Sequence, residues 1–175
     1  FWRPSNILTV EDTPFSNRFL IQLLVVSFSV AGNMCRTSIQ DLTLYNNSFI
    51  NYNGGTVVWV NFAACFVMSW TNNAVKFWSL VLEGSNKTSM KQIALHSGIT
   101  SGFCGSLSTF SSMMIEIFFK TVDLVNNDQL PNNGYRVMEF FATSITHIAV
   151  PIFGHICGLQ FALLFDCLIT PRISK

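Results

Sequence analysis

Apolar residues in this chain gather into four long stretches separated by polar loops. The first runs from about Phe19 to Cys35 and closes on Gly32-Asn33-Met34-Cys35-Arg36. An Asn-rich loop leads to Gly54-Gly55. The second stretch runs from about Thr56 to Thr71, with a weaker continuation from Phe77 to Leu82, and a charged loop, Glu83 to Lys91, follows. The third spans about Ile93 to Phe119. After an Asn/Asp loop holding the breaker Leu130-Pro131-Asn132, the fourth begins near Tyr135 and stays apolar to about Phe165. A bilayer crossing takes about 20 apolar residues in helix. The pattern therefore predicts an all-α integral membrane protein, with one four-transmembrane-helix unit over 19–165, a cytoplasmic N-terminal tail over 1–18, and the start of a C-terminal tail or linker over 166–175. The fourth stretch exceeds one crossing and contains Pro151, which predicts a kink, a tilt or an overhang.

Composition strengthens this picture and removes alternatives. The 175 residues are 50% hydrophobic and only 11% charged, against about 25% charged in a soluble domain. A net charge of +1 leaves no basic footprint for nucleic acid. Five cysteines, none in a CxxC pair, read as small apolar side chains rather than a disulfide framework or a metal site. Counting Lys and Arg, one set of loops and tails carries Arg3, Arg18, Lys76, Lys87, Lys91, Arg172 and Lys175, and the other Arg36, Lys120 and Arg136. The positive-inside rule then places both termini in the cytoplasm. In that topology the two sequons, at Asn46 and Asn86, face opposite sides, and only Asn46 lies outward.

The third stretch departs from an ordinary membrane helix. Its middle, Gly98 to Met113, is rich in glycine and hydroxyl residues, a composition that predicts a broken helix. Backbone that leaves the helix at membrane depth survives only where it is buried in protein, binds an ion or lines a polar path. The stretch thus reads as the working part of a channel or transporter. Asn61 places an amide on an otherwise apolar helix, where an unsatisfied amide is costly. Ser108, Thr109 and Ser112 fall within about one and a half turns and could form a track of neutral donors. Phe110 could turn its positive ring edge to an anion. Blander readings stand beside these: an intramembrane Asn as interhelical glue, hydroxyls bonded back to the preceding turn, Arg36 complementing its own helix C-terminus, and Glu116 in a structural pair. His96, His147 and His155 read as membrane-helix polar residues with partners, and no third ligand at metal spacing accompanies them. No nucleophile–base spacing and no phosphate-binding loop point to an enzyme.

Gly102-Phe103-Cys104-Gly105-Ser106-Leu107-Ser108-Thr109-Phe110-Ser111-Ser112-Met113, followed by Glu116, resembles the signature of the Fluc (CrcB) fluoride channels. More narrowly, the chain is similar to the first half of the fungal branch, the fluoride export proteins, in which two Fluc-like halves are fused. Arg36, Asn61 and the stretch Leu130 to Phe140 add to the likeness. The resemblance implies a four-helix unit with a broken third helix that pairs antiparallel with a second such unit, within the same longer polypeptide or in another chain. It implies narrow pores through the pair, with Asn61 and Phe110 as pore residues joined by Ser108, Thr109 and Ser112, and with Arg36, Glu116 and Met113 in support. The third helix would break at Gly105, where backbone carbonyls of Gly105 and Ser108 hold a structural sodium ion. Met113 stands where the family has a second pore phenylalanine, so one pore of a two-half protein would be degenerate. The implied activity is passive export of cytoplasmic fluoride through the plasma membrane, which confers fluoride resistance. The alternatives are a proton-coupled four-helix exporter, which would need a carboxylate deep in the first helix, and a non-catalytic scaffold subunit.

Overall fold

The computed structural model describes residues 15–43, 57–74, 77–78, 90–122 and 133–173. These form α1 (Phe15–Thr43), α2 (Val57–Asn73), α3 (Met90–Ser97), a π-helical segment (Gly98–Cys104), α4 (Gly105–Leu107), α5 (Phe110–Val122) and α6 (Asn133–Ile173). No strand occurs among the described residues. Among the described residues, three helical runs are long and apolar enough to cross a membrane: Arg18–Thr43, Ala94–Val122 and Gly134–Leu168. The 17-residue α2 lies along α6, while α1 packs on α3, the π segment and α4, and α5 packs on α6. Residues 1–14 of the N-terminal tail, both sequons and the Leu130-Pro131-Asn132 breaker lie outside the described residues, while residues 15–18, assigned to the tail by the pattern, are the first turn of α1.

Two boundaries differ from the pattern reading. The first helix does not stop near Cys35 but continues to Thr43. Thr37, Ser38 and Thr43 hold this extension by donating their hydroxyls to carbonyls three or four residues back. Arg36 is therefore a mid-helix residue and cannot serve as the complement of a helix C-terminus. The last helix runs unbroken through Pro151 for 41 residues, roughly 60 Å. That is about twice the hydrocarbon core, so an overhang or a tilt, rather than a break, accommodates its length.

Close backbone contact holds these helices together. A Cβ on Gly102 would lie 2.5 Å from the carbonyl oxygen of Val25, and one on Gly32 would lie 2.5 Å from that of Phe103. The Ser29 hydroxyl, which donates to the Val25 carbonyl at 2.8 Å, also reaches the Gly102 carbonyl across the same seam at 3.3 Å. On the other side, Cβ atoms on Gly154 and Gly158 would collide with the carbonyl oxygens of Phe62 and Phe66. Lipid offers no hydrophobic drive between helices, so close packing of small residues supplies the association. Between the two seams lies a small core of Val60, Ala64 and Leu107, with Ile39, Ala63 and Phe103 against it. Large apolar side chains such as Val26, Val30, Ile148 and Phe153 point outward instead, as a lipid-facing surface requires.

Because the α2–α6 seam has no room for a side chain, Gly158→Val is expected to lower stability by about 1–3 kcal/mol or more. Thermal size-exclusion chromatography in detergent reads this, and an unshifted melting temperature would contradict the seam.

Candidate functional site: a helix break stitched by Asn61

The site is built where the third apolar run leaves the helix. Seven residues of π-helix, Gly98–Cys104, precede the break, and such wide turns often mark functional positions. Gly105 itself is helical, with φ −65° and ψ −37°, and a Cβ there would meet nothing within 4 Å. The expected break at Gly105 is thus corrected: the chain opens three residues later, at Ser108, with φ −73° and ψ 151°. Ser108 still donates its N–H to the Cys104 carbonyl at 2.9 Å. Thr109 is the first residue whose N–H abandons the helical pattern.

Asn61 takes up what the backbone gives away. The Thr109 N–H donates to Asn61 Oδ1 at 2.9 Å, and Asn61 Nδ2 donates to the Thr109 carbonyl at 3.3 Å. One amide side chain on α2 therefore satisfies both main-chain groups of a residue 48 positions away. Asn61 and Thr109 are both buried. In a continuous helix the Thr109 N–H would bond the carbonyl of Gly105. Its diversion to Asn61 releases that carbonyl from its helical partner. The break follows from this side-chain clamp rather than from glycine's conformational freedom.

Thr109 also starts the next helix. Its Oγ1 accepts the Ser112 N–H at 3.3 Å, as an N-cap does, and its own hydroxyl donates to Ser112 Oγ at 2.8 Å. Arg36 reaches across from α1 and donates from Nη2 to the same Ser112 Oγ at 3.2 Å. The structure thus brings Asn61, Thr109, Ser112 and Arg36 together in one network. Gly105, Ser108 and Phe110 stand apart from it on the surface, with Phe110 71% exposed at the first turn of α5. Met113 is half-buried.

Down the inner face of α5, a turn beyond Ser112, lies Glu116. It is buried, and its Oε2 stands 3.5 Å from Nε2 of the buried His147 on α6. Among the described residues, the side-chain N and O atoms of the pair make no well-formed hydrogen bond beyond this contact. The backbone amide of Val57, at the start of α2, adjoins the same carboxylate, and Lys120 lies near both groups. Thr143, one turn before His147, is buried on the same helix face. The sequence named Glu116 and His147 separately, but nothing in either's spacing identified the other as its partner, because they lie on different helices. His155 is exposed, so it does not share His147's environment. No cluster that could hold a metal occurs among the described residues.

The clamp predicts a pH-dependent rescue. Asn61→Ala leaves both Thr109 backbone groups unpaired, at about 1–3 kcal/mol each. Asn61→Asp is equally unstable at neutral pH, because its carboxylate oxygen opposes the Thr109 carbonyl. Acidification restores it, since a protonated carboxyl can donate and accept as the amide does. Melting curves from pH 8 to pH 5 should show the Asp variant gaining stability relative to wild type and the Ala variant not.

For the buried pair, Glu116→Leu and His147→Leu each leave one polar group stranded. The double variant should be more stable than the sum of the singles by about 1–3 kcal/mol in a thermal double-mutant cycle. Additive losses would mean the two groups do not interact.

Residues 23–159 match the family described as CrcB-like protein, Camphor Resistance (CrcB). The chain is 34% identical over 158 residues to fluoride export protein 1 of Candida albicans, covering 87% of this chain and 40% of that protein. It is 32% identical over 141 residues to fluoride export protein 1 of Saccharomyces cerevisiae, covering 77% of this chain and 34% of that protein. Fluoride export protein 1 of Schizosaccharomyces pombe is 30% identical over 141 residues, with 81% and 41% covered. The chain therefore spans about a third to two fifths of the length of these relatives. No solved structure matches it. With the family match running through α1, α2, the broken third run and most of α6, the chain is a membrane protein that belongs to the CrcB family.

Proposed function

We propose that this chain is one four-helix half of a fluoride-selective passive channel, which exports cytoplasmic fluoride across the plasma membrane and so confers fluoride resistance. The observation that carries the reading is the break at Ser108–Thr109, set inside an apolar run and ringed by neutral donors. The names of the relatives, fluoride export proteins, support it. Fluoride is small and strongly hydrated, so a pore must replace its water with donors without trapping it. The hydroxyl of Ser108, the one proton that the Thr109–Ser112 hydroxyl pair leaves over, the second N–H of Asn61 and the ring edge of Phe110 offer such contacts. Negative-inside potential then drives the anion outward without ATP.

The exposed break faces away from this half, which suits a second Fluc-like half packed antiparallel upon it, fused in the same polypeptide or in another chain. Both termini are placed in the cytoplasm by charge. The Gly105 carbonyl, freed by the Asn61–Thr109 bond, and the exposed Ser108 carbonyl fit a hard cation that favours oxygen ligands. Gly105 and Ser108 would hold a structural sodium ion there, and its charge would neutralise carbonyl dipoles where the two halves meet.

One observation favours a second reading. A carboxylate is absent from the depth of α1, but Glu116 and His147 are buried side by side in other helices and could carry a proton. That would make the protein a proton-coupled exporter.

Reconstituted vesicles separate the two readings. A passive channel releases fluoride only when potassium and valinomycin dissipate the voltage it builds, and strongly excludes chloride. A proton-coupled exporter, which exchanges fluoride outward for protons inward, also moves charge and is distinguished by proton uptake that accompanies the fluoride release. Phe110→Ile is expected to abolish release, and Met113→Phe to leave it near normal, because position 113 is assigned to the degenerate pore. Equal chloride and fluoride release would overturn the channel reading.

A further inference from the structure

We propose that the cavity between the end of α2 and the start of the third apolar run holds one anionic phospholipid of the cytoplasmic leaflet, with its acyl chain inside and an ester carbonyl on Trp70 and Thr71. Thr71 lies three turns along α2 from Asn61, roughly 15 Å, so this site is separate from the helix break. The proposal does not rest on the fluoride reading above.

The cavity has a volume of about 190 Å³, and Phe77, Leu95 and Ile99 give it apolar walls. Trp78 is fixed as a further wall, because its indole N–H donates to the Thr71 carbonyl at 2.8 Å. Phe165 of α6 backs both Trp70 and Phe77. An apolar cavity of about 150 Å³ stays dry and takes up a benzene-sized guest. This one has room for a length of acyl chain but not for the fused rings of a sterol.

Two polar groups at the cavity are unpaired. Thr71 is only 2% exposed, and its hydroxyl makes no hydrogen bond among the described residues. Other helical threonines avoid this: Thr43, Thr100, Thr121 and Thr146 all donate to the carbonyl four residues back. The Trp70 indole N–H is likewise shut off from water and unpaired among the described residues. A water molecule here would meet two donors and turn its own protons to apolar walls. One oxygen with two free lone pairs and no proton suits the pair better. An ester carbonyl is such an oxygen, and a phospholipid carries it where the acyl chain begins, at the interfacial level where tryptophans gather.

Charge selects the headgroup. Residues 74–91 and 162–175, which border the cavity's end of the molecule, carry Lys76, Lys87, Lys91, Arg172 and Lys175 against Glu83 and Asp166. The Asp166 carboxylate is already engaged, since it accepts the Phe77 N–H at 3.4 Å. Basic residues beside a membrane helix attract anionic lipid, and the positive-inside count turns this end to the cytoplasmic leaflet, which supplies it.

The experiment is native mass spectrometry of the full-length protein in detergent, titrated with phosphatidylserine, phosphatidylcholine or a sterol. The melting temperature with each lipid is the second readout. Wild type is expected to retain one phosphatidylserine about 10-fold more tightly than phosphatidylcholine, and to melt higher in its presence. Thr71→Val and Trp70→Phe remove the donors and keep the shape, and each should weaken that lipid roughly 5- to 10-fold. Leu95→Trp fills the cavity and should abolish both the tight binding and the gain in melting temperature. Should Leu95→Trp fail to fold, Ile99→Phe takes its place. Three outcomes overturn the proposal: the tight phosphatidylserine persists when the cavity is filled, phosphatidylcholine or the sterol binds there as tightly, or Thr71→Val and Trp70→Phe both leave the affinity unchanged.

Discussion

The polar network at the helix break depends on the pairing of the Asn61 amide with the backbone of Thr109. Opening a helix inside a membrane strands an N–H and a carbonyl where no water can take them, at several kcal/mol each in hydrocarbon. Asn61 meets both at once, at 2.9 and 3.3 Å. The amide is the smallest side chain that offers a donor and an acceptor side by side. Once it has taken Thr109, the chain can turn out at Ser108, and a new helix can begin at Phe110 within the apolar run. Thr109 then serves two ends: its backbone is held by α2, and its side chain caps α5.

The helices around the break are positioned by glycine contacts, joined along the α2–α6 seam by ring contacts such as Phe66–Phe161 and Trp70–Phe165. The π segment could not sit against α1 if Gly102 or Gly32 carried a side chain, and α2 could not lie so near α6 if Gly154 or Gly158 did. These two seams bring Arg36 within reach of Ser112 and Asn61 within reach of Thr109. Two small cores, Val60, Ala64 and Leu107 and, further along, Ala74, Trp78 and Ala162, fill space between the helices among the described residues. Large side chains are largely spent on the outer surface, where lipid, not protein, surrounds them.

Along α5 the inner face is polar for most of its length. Thr109, Ser112, Glu116 and Lys120 recur at three- or four-residue intervals, so they form one stripe. Opposite them α6 sets Thr143 and His147. Polar groups at this depth are costly unless they have partners, and this stripe provides them from three helices in turn. Arg36 on α1 meets Ser112, Val57 on α2 adjoins Glu116, and His147 on α6 faces Glu116. The stripe is thus continuous with the break rather than separate from it.

Much of this was legible in the chain alone. Hydropathy marked the apolar runs, because bilayer thickness dictates their length. Gly98 to Met113 announced a helix break, because no uninterrupted membrane helix needs so many glycines and hydroxyls together. Asn61, Thr109, Ser112 and Arg36 could be singled out because each is expensive in an apolar setting. The sequence determined, by itself, which polar residues must find partners; it could not determine which partners they find. The family resemblance favoured Gly105 for the break and the hydropathy pattern a helix end at Arg36, and both were decided otherwise. Asn61 lies 48 residues from Thr109, Arg36 lies 76 from Ser112, and Glu116 and His147 sit on separate helices. Those pairings exist only once glycine seams bring α1, α2, α5 and α6 to within a side chain's length of one another, and that distance is a property of the packed structure alone.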